Sequence, residues 1–137
     1  MIDKNFQNGI LETTDKMLKE IRSLLLFVRT GLKIADKKED VISHFRLSNC
    51  QKFIELAQAD LTTALDALEK YSNKYANNEA ASKDLKRYIE ELLAMSTEHL
   101  EMAKFNYAYY LEYRNNPDRG IDELMEAASK TEDSLLF

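Results

Sequence analysis

Residues 50–75 read CQKFIELAQADLTTALDALEKYSNKY, and the spacing of apolar side chains in that stretch decides the fold. Cys50, Ile54, Ala57, Leu61, Ala64, Leu68, Tyr71 and Tyr75 recur in unbroken steps of four and three. An α-helix, with 3.6 residues per turn, gathers such positions onto one side, whereas a strand would need every second residue. A stripe that repeats every seven residues is the seam along which long helices pack side by side. Ala57 and Ala64 lie within it, and their small side chains let a neighbouring helix come close at mid-length. Upstream, Val41, Ile42 and Phe45 continue an apolar face in a slightly shifted phase. The helix is therefore expected from Asp40, whose carboxylate suits a cap, to about Asn73.

The same pattern returns on either side. Leu11, Thr14, Leu18, Ile21, Leu25, Val28, Leu32 and Ala35 alternate steps of three and four, which predicts a first helix from about residue 8 to residue 36. Gly31 lies inside it at a cost of roughly 1 kcal/mol relative to Ala, so fraying is expected to begin there. The charged cluster Asp36–Asp40 is the first turn, and Asn77–Asn78 mark the second. Ser82 is the expected cap of a third helix reaching Arg114. That helix carries two adjacent apolar stripes, drawn from Leu85, Tyr88, Ile89, Leu92, Leu93, Met95, Leu100, Met102, Ala103, Tyr107, Tyr110 and Leu111. Two stripes imply two neighbours, as for the middle helix of a bundle. Asn116-Pro117-Asp118-Arg119-Gly120 stops the helix, because the residue before a proline is pushed out of helical geometry. A short fourth helix is expected from about Ile121 to Lys130, with Ile121, Leu124, Met125 and Ala128 on one side, before the terminal Leu135–Leu136–Phe137.

A second helix of about 34 residues is roughly 50 Å long. A compact ball of 137 residues is only about 37 Å across. The expected fold is therefore all-α: an elongated antiparallel up-down bundle of three long helices plus a short C-terminal fourth helix, as one domain over residues 1–137. The alternative is a second helix broken around Arg46–Asn49. Three glycines and one proline leave too little turn chemistry for a sandwich or barrel of short strands.

Composition also narrows the chemistry. Cys50 is the one cysteine, so no internal disulfide and no cysteine-based zinc site is expected, and a small buried hydrophobe is the reading preferred for it. The longest apolar run, Leu24–Leu25–Leu26–Phe27–Val28, is far short of the roughly 18 residues that would suggest a membrane span. The opening MIDKNFQNG has no basic-then-apolar pattern that would suggest secretion, and with a single cysteine a reduced, cytoplasmic setting is the default expectation. The net charge of −5 is uneven: residues 1–52 hold ten Lys/Arg against seven Asp/Glu, and residues 53–137 hold nine against seventeen. An acidic majority disfavours phosphate backbones and favours a basic protein partner. The stripe Lys19, Arg22, Arg29 and Lys33, interrupted by Leu26, carries a weaker nucleic-acid reading. Gly9, Gly31 and Gly120 are isolated, so no phosphate-cradling loop exists. A di-iron bundle needs Glu three residues before His on one helix, and Val41 and Ser96 occupy those places before His44 and His99. His99, between Met95 and Met102 at helical spacing, reads as a half-buried structural histidine.

One carboxylate pattern stands out. Glu98-x-x-Glu101 is followed by Glu123-x-x-Glu126, an arrangement similar to the Mg²⁺-binding pattern of the all-α nucleotide pyrophosphohydrolases of the MazG type. The resemblance covers these four residues and departs at Glu126, where the family has Asp. It implies a Mg²⁺ held by paired carboxylates that positions a triphosphate. A solvated acidic face is the competing reading, and on it no catalytic residue, metal or cofactor is expected.

Surface left over by the bundle is the stronger signal. Five consecutive apolar residues on a helix point in every direction, because each step turns 100°. If Leu25 and Val28 face the core, then Leu26, with part of Leu24 or Phe27, looks outward and calls for a cover. Tyr107, Tyr109, Tyr110 and Tyr113 likewise span more than one face, and tyrosine offers large contact area with a polar tip. Leu24, Leu26, Phe27 and these four tyrosines are the expected interface. The expected function is non-enzymatic binding of another protein, of adaptor, chaperone or inhibitor type, with a homodimer as the expected assembly.

Overall fold

The computed structural model describes residues 3–115. They form three α-helices, α1 (Lys4–Lys37), α2 (Val41–Tyr71) and α3 (Glu79–Asn115), with no strand among the described residues. The expected fourth helix lies outside the described residues. No described helix is long and apolar enough to cross a membrane.

Local chemistry sets the helix ends. Asp3 caps α1, its carboxylate accepting the Asn5 amide at 2.9 Å. The far end of α1 closes by two reversed bonds, Glu39 N–H to the Asp36 carbonyl at 3.2 Å and Asp40 N–H to the Ala35 carbonyl at 2.9 Å. This is the Schellman pattern, with Glu39 in the left-handed conformation (φ 55°) that glycine usually fills. Asp40 then begins α2 as expected, taking the Ser43 amide at 3.1 Å and the Ser43 hydroxyl at 2.6 Å. The cap of α3 is Asn78 in place of Ser82: its side-chain oxygen accepts the Ala81 amide at 3.0 Å, at the third position of the helix. Ser82, already inside the helix, donates instead to the Tyr75 carbonyl at 2.7 Å.

α2 is continuous through Arg46–Asn49. α1 likewise runs through Gly31 to Lys37 without fraying. The reason is packing: a methyl group placed on Gly31 would lie 2.8 Å from Leu47 Cδ1 and 3.3 Å from the Tyr110 hydroxyl. The missing side chain is what lets Leu47 and Tyr110 close over α1.

The middle helix is α2, not α3. Its backbone lies close to both neighbours, while α1 and α3 approach each other less closely. Small residues explain the asymmetry, since Ala57 and Ala64 of α2 and Ser96 and Ala103 of α3 are wholly buried and allow close contact. Two buried bonds tie this seam, Ser96 Oγ to the Ala57 carbonyl at 2.8 Å and Cys50 Sγ to the Ala103 carbonyl at 3.1 Å. These pairs show that α2 and α3 run antiparallel. Between α1 and α3 longer side chains bridge, including Lys104 to Glu20 at 3.0 Å.

On α1 the buried positions are Ile10, Thr14, Met17, Ile21, Leu24, Val28, Gly31 and Ala35. Thr14, Ile21, Val28 and Ala35 match the expected stripe. The other four are displaced by one residue, so that Leu18, Leu25 and Leu32 flank the core and Leu11 is 51% exposed.

Candidate interaction surface

The rotation of α1 decides which of the five residues Leu24–Val28 remain outside. Leu24 turns into the core beside Val28, contrary to expectation, because it stands in the buried row with Met17 and Gly31. Leu26 and Phe27 stay 64% and 56% exposed. Phe27 stacks against Tyr107 of α3, with ring centroids 6.2 Å apart, and the two frame a cleft of about 400 Å³ with Glu20, Ser23 and Lys104.

Of the tyrosines, Tyr107 is half-buried and burial raises its phenol above the ordinary range. Its ring tilts against Tyr110 at 5.6 Å. Tyr110 is a core residue, 3% exposed, in contact range of the Gly31 gap. Tyr109 is 5% exposed; the Arg46 guanidinium lies 3.8 Å above its ring and Tyr113 packs beside it. Tyr109 and Tyr110 are therefore taken up by packing within the chain, and of the expected set Leu26 and Phe27 are exposed while Tyr107 and Tyr113 are half-buried.

Other positions behave as their chemistry suggests. His99 Nδ1 lies 2.7 Å from Asp60 Oδ2 with its ring stacked on Phe53, a satisfied, partly buried histidine. His44 sits 2.8 Å from Asp36 across the first turn. Cys50 is wholly buried, and burial pushes its thiol up to about 12, so it remains protonated at neutral pH. Glu98 and Glu101 are exposed on α3, and Glu123 and Glu126 lie outside the described residues. Among the described residues no three metal-binding side chains come together.

The structure also exposes apolar residues that sequence reading assigned to the core. Tyr88, Met95 and Met102, seven residues apart on α3, are 47%, 45% and 45% exposed; Leu56 of α2, outside the stripe expected for that helix, is 41% exposed. Their heptad spacing was the available signal, but a heptad row looks alike whether it meets a helix of its own chain or of another. Near the first turn Val41, Ile42 and Phe45, the residues in shifted phase, are 61%, 44% and 62% exposed. No family model, no curated protein and no solved structure matches the chain.

Proposed function

We propose that this chain is a non-enzymatic helical-bundle protein that works by binding another protein, as an adaptor, chaperone or inhibitor does, and that it self-associates, with a homodimer as the simplest assembly. The observation that carries the reading is the pair Leu26 and Phe27, exposed in the middle of a helix whose inward positions are already filled. Large apolar residues gathered on a rigid helix are the usual basis of a binding face, and Met, Tyr and Phe are the residue types enriched there. The acidic second half of the chain favours a basic partner. In the same reading residues 121–130 form a short fourth helix, and the protein acts in the cytoplasm.

The test is the solution mass. Leu26→Glu with Phe27→Glu places two charges in the proposed contact without touching a buried position. A wild-type oligomer that becomes monomeric in this variant, with unchanged helical circular dichroism, supports the proposal. The same mass for both proteins would overturn it.

A further inference from the structure

Two faces of this molecule complement each other. The first is the outer side of α1. Arg22, Arg29 and Lys33 surround Leu26, all four are exposed, and none of the three cations has an ion-pair partner among the described residues. Residues 19–33 hold four Lys/Arg and a single carboxylate, Glu20, which is held by Lys104.

The second face lies along α2 and α3. Contacts to α1 come from one flank of α3, at Thr97 and Lys104. Tyr88, Met95 and Met102 lie on the opposite flank, beyond the Ser96 and His99 side that meets α2, by helical geometry of 100° per residue. Leu56 borders the same groove from α2, one residue before Ala57, the partner of Ser96. Residues 53–66 and 88–103, which pair across this part of the bundle, contain seven carboxylates and no Lys or Arg. Glu91 and Glu98 of that group are exposed and unpaired among the described residues.

The spacings match. Leu26 follows Arg22 by four residues and precedes Arg29 by three; Met95 follows Glu91 by four and precedes Glu98 by three. Two helices packed face to face in opposite directions would set Leu26 against Met95, Arg22 against Glu98 and Arg29 against Glu91, because the charged residues occupy the same flank of each helix. α1 and α3 already run in the same direction within one molecule, as the Phe27–Tyr107 and Glu20–Lys104 contacts require. A second copy must therefore be turned end for end, so that its α1 lies alongside α3 with the opposite polarity.

We infer that the partner of the α2–α3 face is the outer face of α1 from a second copy of this chain, in a head-to-tail contact. This rests on the self-association proposed above and specifies its geometry. Because the two faces differ and lie on opposite sides of the molecule, each copy keeps one face of each kind open after pairing. Such a contact closes only as a ring or continues as a filament. The dimer is then the first member of a series that grows with concentration and weakens with salt.

The experiment uses two full-length charge-reversal variants, Arg22→Glu/Arg29→Glu and Glu91→Lys/Glu98→Lys, followed by sedimentation velocity. All four residues are exposed, and circular dichroism verifies that each variant keeps its helices. Each variant alone should be monomeric, its self-affinity reduced about 10-fold or more. An equal mixture should associate again, because each supplies the face the other lacks. If Glu91→Lys/Glu98→Lys associates as well as wild type, the pairing of faces is overturned while self-association through Leu26 and Phe27 stands. A mixture that stays monomeric also overturns the pairing. A wild-type chain that is monomeric at all concentrations overturns both readings.

Discussion

Gly31 and Gly9 occupy the same helix, and replacing each by alanine should move stability in opposite directions. An interior helical glycine costs about 1 kcal/mol relative to alanine, because it gives up more backbone freedom on folding. Around Gly9 a new methyl group meets nothing within 4 Å. Gly9→Ala should therefore stabilise the protein by about that amount. At Gly31 the same methyl lies 2.8 Å from Leu47 Cδ1 and 3.3 Å from the Tyr110 hydroxyl. Leu47 is 0% exposed and Tyr110 3%, so neither has free space to retreat into. Overpacking of this kind costs about 1–3 kcal/mol, which offsets or exceeds the helical gain. Gly31→Ala should then lie between neutral and about 2 kcal/mol destabilised. Urea unfolding followed by circular dichroism resolves the difference. With a slope near 2 kcal/mol per molar urea, a gap of about 2 kcal/mol separates the two midpoints by about 1 M. The proteins are compared at one concentration, since self-association adds to apparent stability. Combining Gly31→Ala with Leu47→Val should recover part of the loss, a favourable coupling between residues in contact. If Gly31→Ala stabilises as much as Gly9→Ala, the close packing of Leu47 and Tyr110 on α1 is wrong.

Three further outcomes test separate parts of the fold. Glu39→Gly should stabilise by about 0.5–1 kcal/mol in the same assay, because φ 55° is strained for a side-chain-bearing residue; a loss would mean that the Glu39 side chain matters more than its backbone. Thr14 is 2% exposed and its hydroxyl finds no partner among the described residues, so the nearly isosteric Thr14→Val should stabilise by about 1 kcal/mol, and destabilisation would reveal a partner. Cys50 titrates near 9.0 when unfolded but is pushed up to about 12 by burial in the native protein. Between those values the native state holds a proton that the unfolded chain releases. Stability is thus intact below pH 9.0 and falls as pH rises toward 12, by at most about 1.4 kcal/mol per pH unit. Cys50→Ala should flatten that decline relative to wild type; an identical slope would remove Cys50 as its source.

Much of the architecture follows from one-dimensional pattern. Period and polarity identify three long helices, and the charged and Asn-rich breaks locate both turns to within a few residues. Asp40 is legible as a cap because a carboxylate just before a helix finds free amides whatever the rest of the chain does. The candidate surface is only half legible. Leu26 lies opposite the buried row in either phase of α1, so its exposure follows from sequence, whereas Leu24, Tyr109 and Tyr110 are buried by neighbours that no local pattern names.

Tertiary packing alone settles the phase of α1. Thr14, Ile21, Val28 and Ala35 belong equally to the row containing Leu18, Leu25 and Leu32 and to the row containing Met17, Leu24 and Gly31. Hydrophobicity favours the leucines. The structure buries the other row, because Leu47 and Tyr110 fit over a residue with no side chain. The same distinction applies to Tyr88, Met95 and Met102. Sequence determines that they share a side of α3; only the placement of α1 and α2 on the other flanks leaves that side open. A helical period records which residues lie together, while the volume and position of neighbouring helices decide what covers them.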